Sequence, residues 1–181
     1  MAENQEPTES TAANQENEQQ STGPNFALQR LYLKDVSFES PGSPEAFQGQ
    51  QWAPKITFDI KNRNRKIQDN VYEVVLTLTV EAKQEEAVAF LVEVQQGAVF
   101  AAQGFEDEQL EQVLGAVCPN IMYPYAREAI DSLVVKGSFP PLMLAPVNFD
   151  SLYAQRKQQE AAAEGGNGAA NTVAEATGDD N

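Results

Sequence analysis

The residues of this chain that could carry chemistry are one cysteine, Cys118, and 27 acidic side chains. Because the sequence contains no histidine, neither a Ser-His nor a Cys-His nucleophile pair can form. Two carboxylates could act as acid and base in glycoside hydrolysis, but no spacing singles out a pair. Cys118 falls in an apolar stripe of helical period, which is typical of an inert buried thiol. We therefore expect no enzyme, no catalytic residue, no metal site and no cofactor.

Composition also narrows the classes of partner. The formal net charge of −15 opposes binding to nucleic acid, which requires a basic surface. Glycine-rich phosphate-binding motifs are missing. No apolar run approaches the roughly 18 residues that span a bilayer, and the first thirty residues lack the pattern of a signal peptide. A single cysteine excludes an intramolecular disulfide, so we expect a soluble protein of a reducing compartment, with no membrane insertion.

The negative charge is concentrated at the two ends of the chain. Residues 1–24 contain five Glu and no Lys or Arg, and residues 158–181 contain five acidic and no basic side chains. Such segments cannot bury enough apolar surface to offset the entropy of ordering. We predict that both are disordered acidic tails. Between them, residues 25–157 carry 17 acidic and 12 basic side chains and have the size of one domain.

Four segments of this domain have the composition or the alternation of strands, namely residues 26–38, 56–60, 72–80 and 90–96. A proline-containing loop lies between the first two, and the basic, polar residues 61–66 are predicted to form a hairpin loop. These connections are too short for helices. The sequence therefore predicts a four-stranded antiparallel sheet, a meander with a long crossover loop after its first strand.

Helices are predicted to follow the strands. Apolar residues from Leu110 to Leu133 recur at three- and four-residue spacings, as in an amphipathic helix. Pro119 and Pro124 fall inside this pattern and predict a bent or broken helix. After an apolar loop over residues 134–148, a second helix begins at about Phe149. The predicted fold class is therefore α+β, with the sheet packed against a long bent helix and a C-terminal helix.

Two loops carry large apolar side chains, which is uncommon for loops. Phe47 and Trp52 precede the second strand, and Phe139, Leu142 and Met143 lie between the helices. These loops either fold over the monomer core without a further role or border a hydrophobic groove. Proline favours the groove, because it holds apolar side chains outward without the ordering cost of a flexible loop.

Five segments resemble one known family. They are LQRLYLKDVSFESP (28–41), VYEVVL (71–76), FLVEVQQG (90–97), CPNIMYPYARE (118–128) and GSFPPLMLAPVNFD (137–150). In this order, over about residues 26–155, they resemble the SecB protein-export chaperones. The resemblance implies a cytoplasmic homotetramer, a dimer of dimers, that holds unfolded secretory precursor proteins without ATP. It also implies delivery of those precursors to the translocation ATPase SecA.

The same resemblance implies roles for particular residues. A client-binding groove is implied at Trp52, Ile56, Phe58, Ile60, Phe139, Leu142 and Met143. SecA contacts are implied at Asp35, Glu39, Leu91 and Glu93. Contacts between the dimers of the tetramer are implied at Phe90, Val92, Val94 and Gln96.

Two other functions stay open at this point. A relative on the same scaffold could hold one dedicated client, such as a toxin–antitoxin partner. A purely structural oligomer would bind no unfolded protein. Proteins that co-purify from cells distinguish the first case, because a general export chaperone retains many precursors rather than one partner.

Overall fold

The alternating segments of the sequence form four long strands, followed by a helical layer. The structure is a computed structural model that describes residues 23–48 and 51–167. The strands are β1 (Asn25–Glu39), β2 (Lys55–Gln68), β3 (Val71–Gln84) and β4 (Ala87–Gln103). The helical layer consists of α1 (Asp107–Gln112), a π-helical segment (Val113–Val117), α2 (Cys118–Lys136) and α3 (Phe149–Asn167). The predicted α+β class is confirmed.

The strand order is β1-β4-β3-β2, and every neighbouring pair is antiparallel. Strands β2, β3 and β4 follow one another as a meander. The loop after β1, which contains a short 3-10 turn at Glu45–Phe47, carries the chain across to the far edge of the sheet. The predicted crossover after the first strand is therefore confirmed. It leaves β1 and β2 as the two edge strands.

Strand β2 is longer than the sequence pattern indicated. The predicted hairpin loop at residues 61–66 is wrong, because β2 continues to Gln68 and pairs with β3 up to Val71. The chain reverses instead at Asp69 and Asn70, where Asn70 has a positive φ of 58°, a conformation that Asn tolerates well. The basic and polar residues of this part of β2 suit an edge strand. Charged side chains there discourage the strand from pairing with another chain.

The long helix is continuous from Asp107 to Lys136, so of the two expected forms, bent or broken, the broken one does not occur. Its irregularity is the π-helical segment, whose hydrogen bonds span one residue more than those of an α-helix. Pro119 comes directly after that segment, where it joins α2, and does not end the helix. Pro124 lies inside α2 without ending it.

Helix α2 covers the middle of one side of the sheet, which we call the helical side. It packs mainly on β4 and β3. Buried there are Val74, Leu76, Leu78, Val80, Phe90, Val92, Val94, Ala98 and Phe100 of the strands, under Cys118, Met122, Ala126 and Ile130 of the helix. The edge strands are covered less completely, since Leu28, Leu33, Val36 and Ile56 remain between 38% and 55% exposed.

The ends of the chain lie mostly outside the described residues. Of the predicted N-terminal tail, residues 1–24, only Gly23 and Pro24 are described. Helix α3 extends to Asn167 and so continues past residue 157, where we placed the end of the folded domain. The remainder of the predicted C-terminal tail lies outside the described residues.

Candidate functional site

An apolar row runs along β2 at the edge of the helical side. Ile56, Phe58 and Ile60 pair with Ala82, Val80 and Leu78 of β3, whose side chains are buried in the core. Phe58 and Ile60 are half-buried and Ile56 is exposed. The row therefore continues the core surface outward to an edge strand that has no neighbour on its outer side among the described strands.

Trp52 stands at one end of this row, just before β2 begins. The side chain of Gln84 fixes the backbone beside it, since its oxygen accepts from the Ala53 N–H at 3.2 Å and its nitrogen donates to the Gln51 carbonyl at 3.2 Å. The indole lies 5.3 Å from the ring of Phe139 and 6.4 Å from that of Phe90. Trp52 also lines a cavity of about 230 Å³ between the crossover loop and the β3–β4 turn.

A second cavity, of about 340 Å³, lies at the other end of the row. Ile60 and Asn62 of β2 line one wall and residues of α3, including Leu152 and Tyr153, line the opposite wall. The floor is Gly115, where a Cβ would lie 2.5 Å from the Tyr153 ring, so only glycine allows α3 to come this close. Sequence reasoning missed Asn62, Leu152 and Tyr153, because residue 62 was assigned to a loop and α3 shows only a weak apolar pattern.

The segment after α2 brings only part of the predicted groove together. Phe139 is buried, and Leu142 is held to α2 because its N–H donates to Asp131 Oδ1 at 2.8 Å. Tyr123 of α2 adds a second tie by donating to the Ala145 carbonyl at 2.6 Å. Leu142 and Met143, which is 76% exposed, line a separate cavity of about 260 Å³ against α2. The structure thus groups Trp52, Ile56, Phe58, Ile60 and Phe139, and places Leu142 and Met143 apart from them.

The opposite side of the sheet, the polar side, carries the residues predicted to contact SecA. Glu39 pairs with Leu91, and Asp35 pairs with Gln95. Leu91, Glu93 and Gln95 are alternate residues of β4, so their side chains and those of Asp35 and Glu39 share this side. Glu93 accepts hydrogen bonds from Thr79 Oγ1 at 3.0 Å and from Gln95 Nε2 at 3.2 Å. The structure also adds Glu81, which pairs with Leu91 from β3. The four predicted residues therefore lie together.

A buried carboxylate, Glu73, lies further along the polar side and was missed in the sequence analysis. Its side chain is only 6% exposed and accepts from Lys34 Nζ at 2.6 Å, from Arg65 Nε at 2.5 Å and from the Tyr32 hydroxyl. These donors, first of all Lys34, lower the pKa of Glu73 to about 2. Tyr32 reaches Glu73 because its ring lies over Gly97, where a Cβ would come within 2.5 Å of it.

The four residues predicted to join dimers lie inside the subunit. Phe90, Val92 and Val94 are at most 1% exposed beneath α2, and Gln96 donates from Nε2 to the Tyr32 carbonyl at 2.8 Å. Within one chain they present no surface to a second subunit. Any influence on assembly therefore has to act through the position of α2.

Groups that could support chemistry are few in the described part of the chain. Cys118 is buried, and this burial raises its pKa to about 12, so its thiol stays protonated and unreactive. Within residues 23–48 and 51–167, no group of three or more His, Cys, Asp or Glu side chains is arranged to hold a metal ion. None of the described helices has the length and apolarity needed to cross a bilayer.

Comparison with known proteins shows the family of this chain. Residues 18–160 match the family model described as preprotein translocase subunit SecB. The chain belongs to the SecB family. A similar SecB-family protein, the protein-export protein SecB of Marinobacter nauticus, is 60% identical over 167 residues, covering 91% of this chain and 96% of that protein. The protein-export protein SecB of Hahella chejuensis is 56% identical over 154 residues, covering 82% and 96%.

One solved structure is similar in fold. It is the SecB-like chaperone Rv1957 of Mycobacterium tuberculosis, in complex with a ChAD peptide from the antitoxin HigA1, Rv1956. The match has a TM-score of 0.54 and covers 67% of this chain and 87% of that one. At 13% sequence identity, it supports the SecB fold alone.

Proposed function

We propose that this SecB-family protein is a cytoplasmic chaperone for protein export, which holds unfolded secretory precursors without using a nucleotide. The observation that carries the proposal is the apolar row Ile56-Phe58-Ile60 on an edge strand, with Trp52 at one end and a cavity at each end. Large apolar side chains left partly uncovered mark binding surfaces in folded proteins.

The row suits an extended, unfolded segment for two reasons. Unpaired backbone groups on the outer edge of β2 accept an added strand, which gives affinity without reading a sequence. Apolar client side chains then cover Phe58 and its neighbours, at about 25 cal/mol per Å² of buried apolar area. Since immobilising the client offsets much of this gain, one groove holds weakly. Several grooves in one assembly retain a long chain through effective concentration.

The test is aggregation of a refolding precursor, followed by light scattering. Phe58→Glu puts a charge in the middle of the row, and we expect the concentration needed for half-suppression to rise about tenfold. Thr57→Glu is the matched control, since residue 57 is exposed on the polar side of the same strand. Equal suppression by both variants would rule out the row, and no suppression by the unmodified protein would favour a structural oligomer.

Delivery to SecA is proposed to use the acidic residues of the polar side. Glu39 and Glu81 pair with the apolar Leu91 from its two sides, Glu93 lies in the next row of the same face, and Asp35 lies in the row after that. An apolar anchor ringed by carboxylates suits a basic partner element, with charge setting association rate and specificity. Because this surface faces away from the β2 row, the protein could hold a client and SecA at once.

Self-assembly as a dimer of dimers requires two different contact surfaces, and the exposed apolar residues provide two. One is the edge strand β1, with Leu28, Leu33 and Val36 exposed. The other is the outer face of the long helix, where Val117, Tyr125 and Val135 are between 39% and 51% exposed. We assign tetramer contacts to these surfaces, and assign Phe90, Val92, Val94 and Gln96 the indirect role of positioning α2.

A dedicated client is the second candidate function, because the structurally similar Rv1957 was solved with an antitoxin peptide. The two functions predict different contents of the groove in cells. Mass spectrometry of chains that co-purify with the protein would find many signal-bearing precursors for an export chaperone. One recurring partner would instead identify a dedicated chaperone.

A further inference from the structure

Charge on the polar side of the sheet changes from mainly basic to mainly acidic in the direction from Arg30 to Glu39, and one pair of lysines, Lys55 and Lys83, follows at the far end. One row of paired residues crosses all four strands. It consists of Arg30 on β1, Val99 on β4, Glu73 on β3 and Arg65 on β2. Continuing along the strands from this row, we call the cations Arg30, Lys34, Lys61, Arg63 and Arg65 the basic half. The acidic half, with Asp35, Glu39, Glu81 and Glu93, follows it. The two halves meet at Lys61, which shares a row with Asp35 and lies 3.3 Å from Asp59. Assigning residues 61–66 to a loop concealed this order in the sequence.

The basic half is concave and its positive charge is only partly neutralised. Lys34, Arg63 and Arg65 line a cavity of about 240 Å³ whose buried carboxylate is Glu73. One negative charge thus faces three cations. Arg65 contacts Glu73 through Nε and Arg63 contacts Gln95 through one terminal nitrogen at 3.1 Å. A guanidinium has five N–H donors, so both arginines keep donors for a further anion.

This chain contains an anionic segment of suitable length immediately before β1. Residues 1–22 contain Glu3, Glu6, Glu9, Glu16 and Glu18 and no basic side chain. They lead directly into β1 at Asn25, at the end of the sheet where the basic half begins. Along β1, Arg30 is about 17 Å and Lys34 about 30 Å from Asn25, at about 3.3 Å per residue. An extended chain that doubles back at Asn25 would bring Glu16 level with Lys34 and Glu18 between Arg30 and Lys34.

We propose that the N-terminal segment, residues 1–18, docks through its glutamates on the basic half of the polar side of the same chain. Docking covers the only strongly cationic surface of the described fold. The acidic half is then the charged surface that remains for a basic partner. The docked segment also prevents the basic half of one copy from pairing with the acidic half of another copy. Their complementary charges would otherwise favour that pairing.

Two other occupants are less favourable. The acidic residues after Asn167 follow α3, which lies on the helical side against Ile60 and Asn62, so they begin on the wrong side of the sheet. A second copy would have to bring its acidic half onto the basic half, and it competes with a segment held at high effective concentration by its own chain.

Carbodiimide crosslinking of the full-length protein tests the proposal. The reagent joins a carboxylate and an amine that are in contact, as an amide with loss of water. An equal mixture of light and 15N-labelled chains, digested and analysed by mass spectrometry, separates crosslinks within a chain from those between chains. We expect Glu16 and Glu18 to couple to Lys34 and Lys61 within one chain. Coupling should disappear at about 0.5 M salt, where the Debye length is about 4 Å.

Several internal controls make the result decisive. Lys55 and Lys83 pair with each other beyond the acidic half, so they should not couple to the N-terminal glutamates. Arg63→Glu, a change at an exposed position, should lower the coupling to Lys34 and Lys61 severalfold. The proposal is overturned by equal coupling to Lys55 and Lys83, by no coupling of Glu16 or Glu18, or by mixed light–heavy crosslinks as the main product.

Discussion

The helical side and the polar side of the sheet consist of the same four strands, yet they leave different groups exposed. On the helical side, α2 covers β3 and β4 and leaves apolar residues of both edge strands partly exposed. On the polar side none of the described helices covers the strands, and a mainly basic half is followed by a mainly acidic half and then by Lys55 and Lys83. One side offers apolar area and the other offers a pattern of charge.

This difference explains how one small domain could serve two kinds of partner. Apolar area attracts many unrelated unfolded segments, since burial is non-directional. A charge pattern rejects partners of the wrong sign and steers the right one. Because strand alternation sends neighbouring residues to opposite sides, a substitution on one side should leave the function of the other intact.

The largest effect is expected for assembly through the helical side. Tyr125→Lys together with Val135→Lys places two charges on the exposed face of α2, and burying them in an interface is costly. We expect the tetramer to dissociate to dimers, with the dissociation constant raised at least about a thousandfold, as measured by sedimentation equilibrium. Gln155→Lys with Gln159→Lys is the control, because it adds the same two charges at exposed positions of α3. A tetramer of unchanged stability in the Tyr125 variant would contradict the assignment.

The next effect concerns the acidic half. Reversing Asp35, Glu39 and Glu93 to lysine should weaken SecA binding about a hundredfold, because attraction becomes repulsion. Titration calorimetry would measure it. Reversing Glu106, Glu108 and Glu128 makes the same change in net charge at exposed positions of the helical layer and should preserve binding. If both triple variants lose affinity equally, net charge rather than this surface decides the interaction.

A smaller effect is expected at Glu73, which stabilises the polar side from within. Glu73→Gln should lower the free energy of unfolding by about 2 kcal/mol at pH 7, a value reduced because Lys34 and Arg65 remain partly hydrated. Since its pKa is lowered from 4.5 to about 2, the unfolded chain binds the proton first as the pH falls. The stabilisation is thus complete above about pH 4.5 and lost towards pH 2. Urea unfolding at pH 7 and pH 3 measures this, and an equal difference at both would contradict it.

The sequence predicts the buried central strands better than the exposed edge strand β2 and the charged residues of the polar side. Alternation over 72–80 and 90–96 identified the central strands, because burial under α2 makes their pattern strict. The pattern failed at residues 61–66, an edge-strand segment in which only Asn62 is partly buried, so burial restricts residue type very little. Because residues 61–66 were predicted to be a loop, the basic half and the position of Asn62 in the cavity wall were not predicted either. Lys34 and Tyr32 reach Glu73 across 39 and 41 positions of sequence, a pairing that local spacing does not encode.

Trp52 permits the most direct test of the central claim, that unfolded chains bind beside the β2 row. It is the only tryptophan in the protein, and it lines the cavity at one end of that row. Adding an unfolded, tryptophan-free precursor should shift its fluorescence emission to shorter wavelength with saturation, because client side chains displace water from the indole. Anisotropy of a dye on the precursor reports binding independently. Saturated anisotropy with unchanged Trp52 emission would show that clients bind elsewhere.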